Sequence, residues 1–307
     1  MTDYLTMNRR EALAMLSAMG VAGLAPSHAL AQQQMPLRTV PSTGEMLPVV
    51  GLGSSKVVSQ IVDNGTEPVA AVLRALVANG GAVVDSWPRN PANDTGFGEV
   101  INLPGLRDSL FVTTKIDQVG KEAGIAQFRQ TQELYQRETI DLVQIFSLTD
   151  LETQWPNLKD WKDEGSARYI GVTVSNYERY DQLIEFLGRE TPDFVQMNYS
   201  ITERRAEERL LPMAADMGLA VLLNRPFMNG AYFGRLEGRT LPEWAAEFDC
   251  TSWAQFSLKY ILAHPTITTV FTETSNPTHM EENAQASYGR MPDAAARARM
   301  RALIDEV

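Results

Sequence analysis

Val84-Asp85-Ser86, Phe111-Val112-Thr113-Thr114-Lys115 and Asp141-Leu142-Val143-Gln144-Ile145-Phe146 are short, largely apolar runs, and the first two end on a charged or hydroxyl side chain. Runs of this length, rich in β-branched and apolar residues, are expected to be buried strands. Working outward, similar runs recur at Val49–Gly53, Ala82–Ser86, Leu110–Lys115, Leu142–Ser147, Tyr169–Val174, Phe194–Asn198, Ala220–Asn224 and Thr268–Thr272. Longer stretches with helical patterning lie between them, among them Pro68–Ala78, Ile125–Gln136, Tyr180–Gly188 and Ala206–Met217. Eight strands alternating with helices predict an α/β fold, a parallel sheet closed into a (β/α)8 TIM barrel. Ahead of it, Pro41-Ser42-Thr43-Gly44-Glu45 between two apolar arms predicts an N-terminal β-hairpin.

The chain has 307 residues and is 44% hydrophobic, enough for one large core in a single domain. Its net charge of −11 provides no basic face, so no nucleic acid is expected as a partner. One cysteine, Cys250, excludes an intramolecular disulfide, and three histidines are too few for a histidine-rich centre, so no metal is expected.

Residues 1–31 have the features of an export leader. Arg9-Arg10 precede an apolar run from Ala12 to Pro26, and Ala29-Leu30-Ala31 supplies the small-x-small pattern of a cleavage site. The run is too short for a stable membrane span, which needs about 20 residues. The twin arginine resembles a twin-arginine (Tat) signal, with Ala12 where Phe is usual, so the general secretory route is the alternative. The expectation is a signal peptide over 1–31, transient contact with the Tat export machinery, a barrel domain over 32–307, a periplasmic location and no stable membrane span after cleavage.

Barrel geometry brings strand ends together at one mouth, where Asp85, Lys115, Phe146, Thr173, Gln196 and Asn224 all fall. Around these positions the chain resembles the aldo-keto reductase family over nearly all of residues 32–307. The similar segments, in the family's order, include Val40–Gly53, the three opening runs, Arg168–Thr173, Phe194–Tyr199 and Thr274-Ser275-Asn276-Pro277 with His279-Met280-Glu281-Glu282-Asn283. The resemblance implies a nicotinamide cofactor, NAD(P)(H), and a small carbonyl or alcohol substrate. It implies catalytic roles for Asp85 and Lys115, which stand where the family has its Asp and Lys. It implies cofactor contacts from Thr173 (with Ser175 or Asn176), Gln196, Asn224, Arg225, Thr274, Ser275, Glu282 and Asn283.

Two members of the family's catalytic group have no counterpart. Phe146 stands where the family has a His, and no Tyr occurs between Asp85 and Lys115. Counting from either side, the place of the Tyr falls near Asn90 or Asp94, in a segment from Trp87 to Phe97 expected to be a lengthened loop. Glu273 stands where NADPH-preferring members often carry Lys, which argues against an NADP preference. Of the tryptophans, Trp87 is expected near the site and Trp253 in the core. With these departures, the resemblance and the leader imply an exported NAD(P)-linked oxidoreductase with an altered centre. The alternatives are a non-catalytic barrel that binds a ligand or partner protein, and non-redox chemistry with Lys115 as base.

Overall fold

The computed structural model describes residues 35–88 and 90–307; the leader expected over residues 1–31 lies outside them. Residues Gln34–Val307 form one compact unit. The strands are β1 (Leu37–Thr39), β2 (Met46–Pro48), β3 (Val50–Gly53), β4 (Val83–Asp85), β5 (Phe111–Ile116), β6 (Ile140–Phe146), β7 (Ala167–Thr173), β8 (Phe194–Asn198), β9 (Ala220–Asn224) and β10 (Ile267–Thr272). The helices are α1 (Ser55–Val58), α2 (Ile61–Asn64), α3 (Glu67–Ala78), α4 (Pro91–Ile101), α5 (Lys121–Tyr135), α6 (Leu151–Asp163), α7 (Tyr180–Leu187), α8 (Leu210–Asp216), α9 (Ala231–Arg235), α10 (Trp253–Leu262), α11 (Pro277–Gln285) and α12 (Ala294–Asp305).

Strands β3 to β10 close into a barrel in sequence order, every neighbour parallel. This is the (β/α)8 barrel expected. The antiparallel hairpin β1–β2 closes its floor: Val40 and Leu47 pack with Val83, Phe111, Leu142, Tyr169 and Phe194 in the barrel interior. Fully burying side chains of this size stabilises by roughly 1.5–3 kcal/mol each. Polar clamps hold the hairpin in place, with Tyr169 hydrogen-bonded to Thr43 at 2.7 Å and Arg168 paired to Glu45 at 2.7 Å and to Asp141 at 2.6 Å.

Successive strands of such a barrel climb by about one residue in register. Applied to the observed registers, this climb puts Asp85, Gln144, Gln196 and Phe271 from β4, β6, β8 and β10 in one interior layer. Lys115, Thr173 and Asn224 lie one step nearer the mouth. Gly51 makes room for this layer, since a Cβ there would stand 2.6 Å from the Val83 carbonyl oxygen and 3.0 Å from the Phe271 ring.

The segment after β4 is not the lengthened loop that the sequence suggested. It runs only to Asn90, whose side chain accepts from Ala92 N–H at 2.9 Å as the N-cap of α4, with Pro91 as the first helical residue. Gly98 brings α4 against α5: a Cβ there would stand 1.9 Å from the Leu134 carbonyl oxygen. Ala206–Met217, expected as one helix, is a short 3-10 turn over Arg205–Glu207 followed by α8.

Candidate active site

The barrel's C-terminal mouth opens into a cavity of about 390 Å³. Its floor is an ion pair, with Lys115 Nζ donating to Asp85 Oδ1 at 2.5 Å and to the Ser86 carbonyl at 2.9 Å. Asp85 also accepts from Thr113 Oγ1–H at 2.5 Å on Oδ1 and from Gln196 Nε2–H at 3.1 Å on Oδ2. The strand registers dictate this convergence: Asp85 sits beside Thr113, and Lys115 lies two residues further along the same inward face. An ammonium 4% exposed would be costly without its carboxylate, and three further polar groups, from Thr113, Ser86 and Gln196, hold the pair in one geometry. Thr113 and Ser86 escaped the sequence reading, although their places two residues before Lys115 and one after Asp85 were signals available there.

Phe146 ends β6 at the rim and stacks on Trp87, the ring centroids 4.1 Å apart and the planes at 20°. Trp87 is oriented by its indole N–H, which donates to Asp117 Oδ2 at 2.9 Å. The two rings form an aromatic ledge on one side of the cavity, while Thr173, Ser175, Asn224 and Arg225 provide polar lining. Among the described residues, this lining includes no tyrosine and no histidine. Neither Asn90 nor Asp94 reaches it. Asn90 is the cap just described, and Asp94 is 3% exposed on the first turn of α4, in the wall of a separate groove. Tyr135 on α5 hydrogen-bonds Ser86 Oγ at 2.9 Å but is not in the lining either, and burial pushes its phenol far above the ordinary value.

Among the described residues, several polar atoms in and below this cavity are buried without a protein partner: Gln196 Oε1, Asn224 Oδ1 and both side-chain atoms of Gln144. Arg225, in the left-handed region at φ 57°, donates to the Ser175 carbonyl at 2.7 Å and bridges the loops after β9 and β7. Asn176 is drawn away from the site, its Oδ1 capping a 3-10 turn by accepting from Arg179 N–H at 3.3 Å.

A second cavity of about 400 Å³ adjoins the first through Glu273, which lines both. It contains Thr274, Glu282 and Asn283 together with Phe227, His279 and Trp253. Trp253, expected in the core, is the first residue of α10 and lies half-buried in this wall. Thr274 Oγ1 accepts from Asn276 N–H at 3.0 Å, and the Asn276 side chain caps α11. Ser275 is exposed and lines neither cavity. Glu273 Oε1 accepts from Lys56 N–H at 3.1 Å, which ties the rim to α1 after β3.

Apart from Ser275 and Asn176, the expected site residues are thus distributed as one ion pair, one polar rim and one adjoining groove. The model of the aldo/keto reductase family matches residues 49–298. The chain belongs to that family. Among curated members it is 25% identical over 219 residues to aldo-keto reductase YhdN of Bacillus subtilis, covering 66% of this chain and 65% of that protein. It is 26% identical over 165 residues to the NADH-specific methylglyoxal reductase of Escherichia coli, covering 45% of this chain and 49% of that one. The chain therefore matches less than two thirds of either protein's length. The fold is shared with an aldo-keto reductase of Klebsiella pneumoniae in complex with NADPH, at TM-score 0.73, 21% identity and coverage of 88% and 96%. It is also shared with an aldo-keto reductase of Bacillus halodurans in its holo form, at TM-score 0.72, 22% identity and coverage of 88% and 96%. Family membership makes this an oxidoreductase scaffold.

The residues present fit the family's nicotinamide dinucleotide. Gln196 Oε1 and Asn224 Oδ1 are buried acceptors with no donor among the described residues, as an amide NH2 or a ribose hydroxyl requires. The adjoining groove offers aromatic walls and a buried Asn283 to a flat base. Among the described residues its lining carries Glu273 and Glu282 but no lysine or arginine, which suits an uncharged ribose edge better than a phosphate. Among the described residues no group of three His, Cys, Asp or Glu is placed to hold a metal ion, and no helix is long and apolar enough to cross a membrane.

Proposed function

We propose that the protein is a nicotinamide-dependent oxidoreductase acting on a carbonyl or alcohol, with NADH favoured over NADPH and a centre rebuilt around Lys115. The observation that carries this is the Asp85–Lys115 pair on the floor of the cavity, beside Gln196, whose amide oxygen has no partner among the described residues. A bound nicotinamide supplies two electrons and one hydrogen to the substrate carbon. Gln196 and Asn224 orient it through their acceptor atoms. Asp85 keeps Lys115 charged and aimed, and the ammonium stabilises negative charge developing on a carbonyl oxygen, then passes a proton to it. Phe146 and Trp87 exclude water and provide a flat apolar surface in place of the family's His. Solvent returns the proton to Lys115 Nζ through the open mouth. The NADH specificity in the name of the Escherichia coli relative agrees with the acidic groove.

The same proposal includes export, with residues 1–31 serving as a Tat-type leader and the barrel acting in the periplasm; the Arg9-Arg10 pair and the apolar run behind it support this.

The experiment is NADH consumption by the purified protein across a panel of aldehydes, ketones and quinones, repeated with Lys115→Met. Turnover of a carbonyl that falls by about 10²-fold or more in the variant supports the assignment. A panel on which the protein never consumes NADH or NADPH sinks it.

A further inference from the structure

We infer that the substrate class of this site is a quinone or a similarly conjugated carbonyl on a flat ring, bound against the Trp87–Phe146 ledge and reduced above Lys115. The inference rests on the oxidoreductase reading and narrows it.

Two observations converge. The first is chemical. Among the described residues the cavity lining contains no phenol and no imidazole, and the ammonium at its floor is engaged by Asp85 and Ser86. Reducing an isolated ketone generates an alkoxide, about as basic as hydroxide, whose conjugate acid has a pKa near ~15.7. That product needs a strong, well-placed acid as the charge develops. Reducing a quinone generates a phenol-type oxyanion, whose conjugate acid has a pKa of about 10. Such a charge is delocalised into the ring, and a nearby ammonium suffices to hold it. The lost acid is therefore most damaging for simple carbonyls and least damaging for quinones.

The second observation is geometric. Phe146 and Trp87 lie nearly parallel, at 20°, and both line the cavity, with the indole held by Asp117. The two rings cover each other's inner faces, so a guest meets the outside of the stack, and a flat, conjugated ring extends it better than a branched or flexible one. Arg225 in the same lining adds a guanidinium, which stacks on arenes and stabilises negative charge. The cavity of about 390 Å³ opens between the half-buried Trp87 and Phe146 at its rim, and below it the barrel is closed by the Asp85, Gln144, Gln196 and Phe271 layer.

The step balances. The quinone gains two electrons and one hydrogen from the reduced dinucleotide, which leaves oxidised. The resulting hydroquinone monoanion takes one proton from Lys115 Nζ, and solvent reprotonates the amine. No further oxidant or reductant is needed.

The test uses 2-methyl-1,4-naphthoquinone as probe, first without cofactor. Saturable quenching of tryptophan fluorescence is expected, largely absent in Trp87→Phe, with affinity about tenfold weaker in Phe146→Leu. With NADH, the quinone should be reduced about 100-fold faster than benzaldehyde, which is flat but yields an alkoxide. Phe146→His should narrow that ratio by favouring the aldehyde. If NADH binds by calorimetry but the quinone neither quenches nor outpaces benzaldehyde, this inference is overturned and the oxidoreductase reading stands. If NADH does not bind at all, both fall together.

Discussion

Lys115 and Asp85 meet at 2.5 Å on the cavity floor, and each is fixed from a different strand. Asp85 is simultaneously bonded to Thr113 and Gln196, so the pair is the hub of the site rather than an isolated bridge. Removing one partner leaves the other charge buried. Lys115→Met is therefore expected to cost about 3–5 kcal/mol in denaturant unfolding, and Asp85→Asn in the same chain to recover part of it. A single variant as stable as the parent would show that the pair is better solvated than its burial indicates.

Glu273 sits where the two cavities join and is exposed. A carboxylate about 4 Å from a phosphate costs roughly 1–4 kcal/mol, and exposure places this one at the lower end. Glu273→Gln should tighten NADPH binding by about fivefold and leave NADH within about twofold. Equal changes for both cofactors would remove Glu273 from the choice between them.

The barrel was legible because its signals are redundant: all eight strands fall within a residue or two of the apolar runs, and each run lies between loop and helix signals. The start of α4 was misread for a physical reason. Asn90-Pro91 is a helix cap and first turn, but Asn93, Asp94, Gly96 and Gly98 give the segment weak helical propensity, so it scans as loop. Gly98 is there because α4 touches the backbone of α5, a tertiary demand invisible in local sequence. At the site, Asp85, Lys115, Gln196, Thr173 and Asn224 could be placed by alternation and strand ends. The Phe146–Trp87 stack could not, because Trp87 lies two residues past β4 and its ring is set by the bond to Asp117 rather than by strand alternation. Ser275 was placed by position in a motif, and the backbone turns it to solvent.

His264 provides a pH signature independent of the cavity. Burial holds its pKa below the ordinary 6.5, with Arg297 adding to the effect, and its Nδ1 accepts from Thr266 N–H at 3.3 Å. The neutral ring is the native form. The unfolded chain binds a proton first as pH falls, so the contribution is intact above about pH 6.5 and is lost between there and the lower folded value. Thermal melts should show the midpoint dropping across that window, with a smaller drop in His264→Gln. An unchanged pH profile in the variant would assign the effect elsewhere.

For export, Arg9→Lys combined with Arg10→Lys is expected to hold the protein in the cytoplasm, read by cell fractionation. Normal periplasmic delivery of that double variant would exclude the twin-arginine route and leave the general secretory one.

The most direct measurement is calorimetric titration of the purified protein with NADH and NADPH, in parallel with Gln196→Leu. Saturable one-to-one binding, tighter for NADH and weakened by about tenfold in the variant, is the predicted result. No binding of either dinucleotide at about millimolar concentration would contradict it, and would leave the Asp85–Lys115 cavity as the site of something other than nicotinamide chemistry.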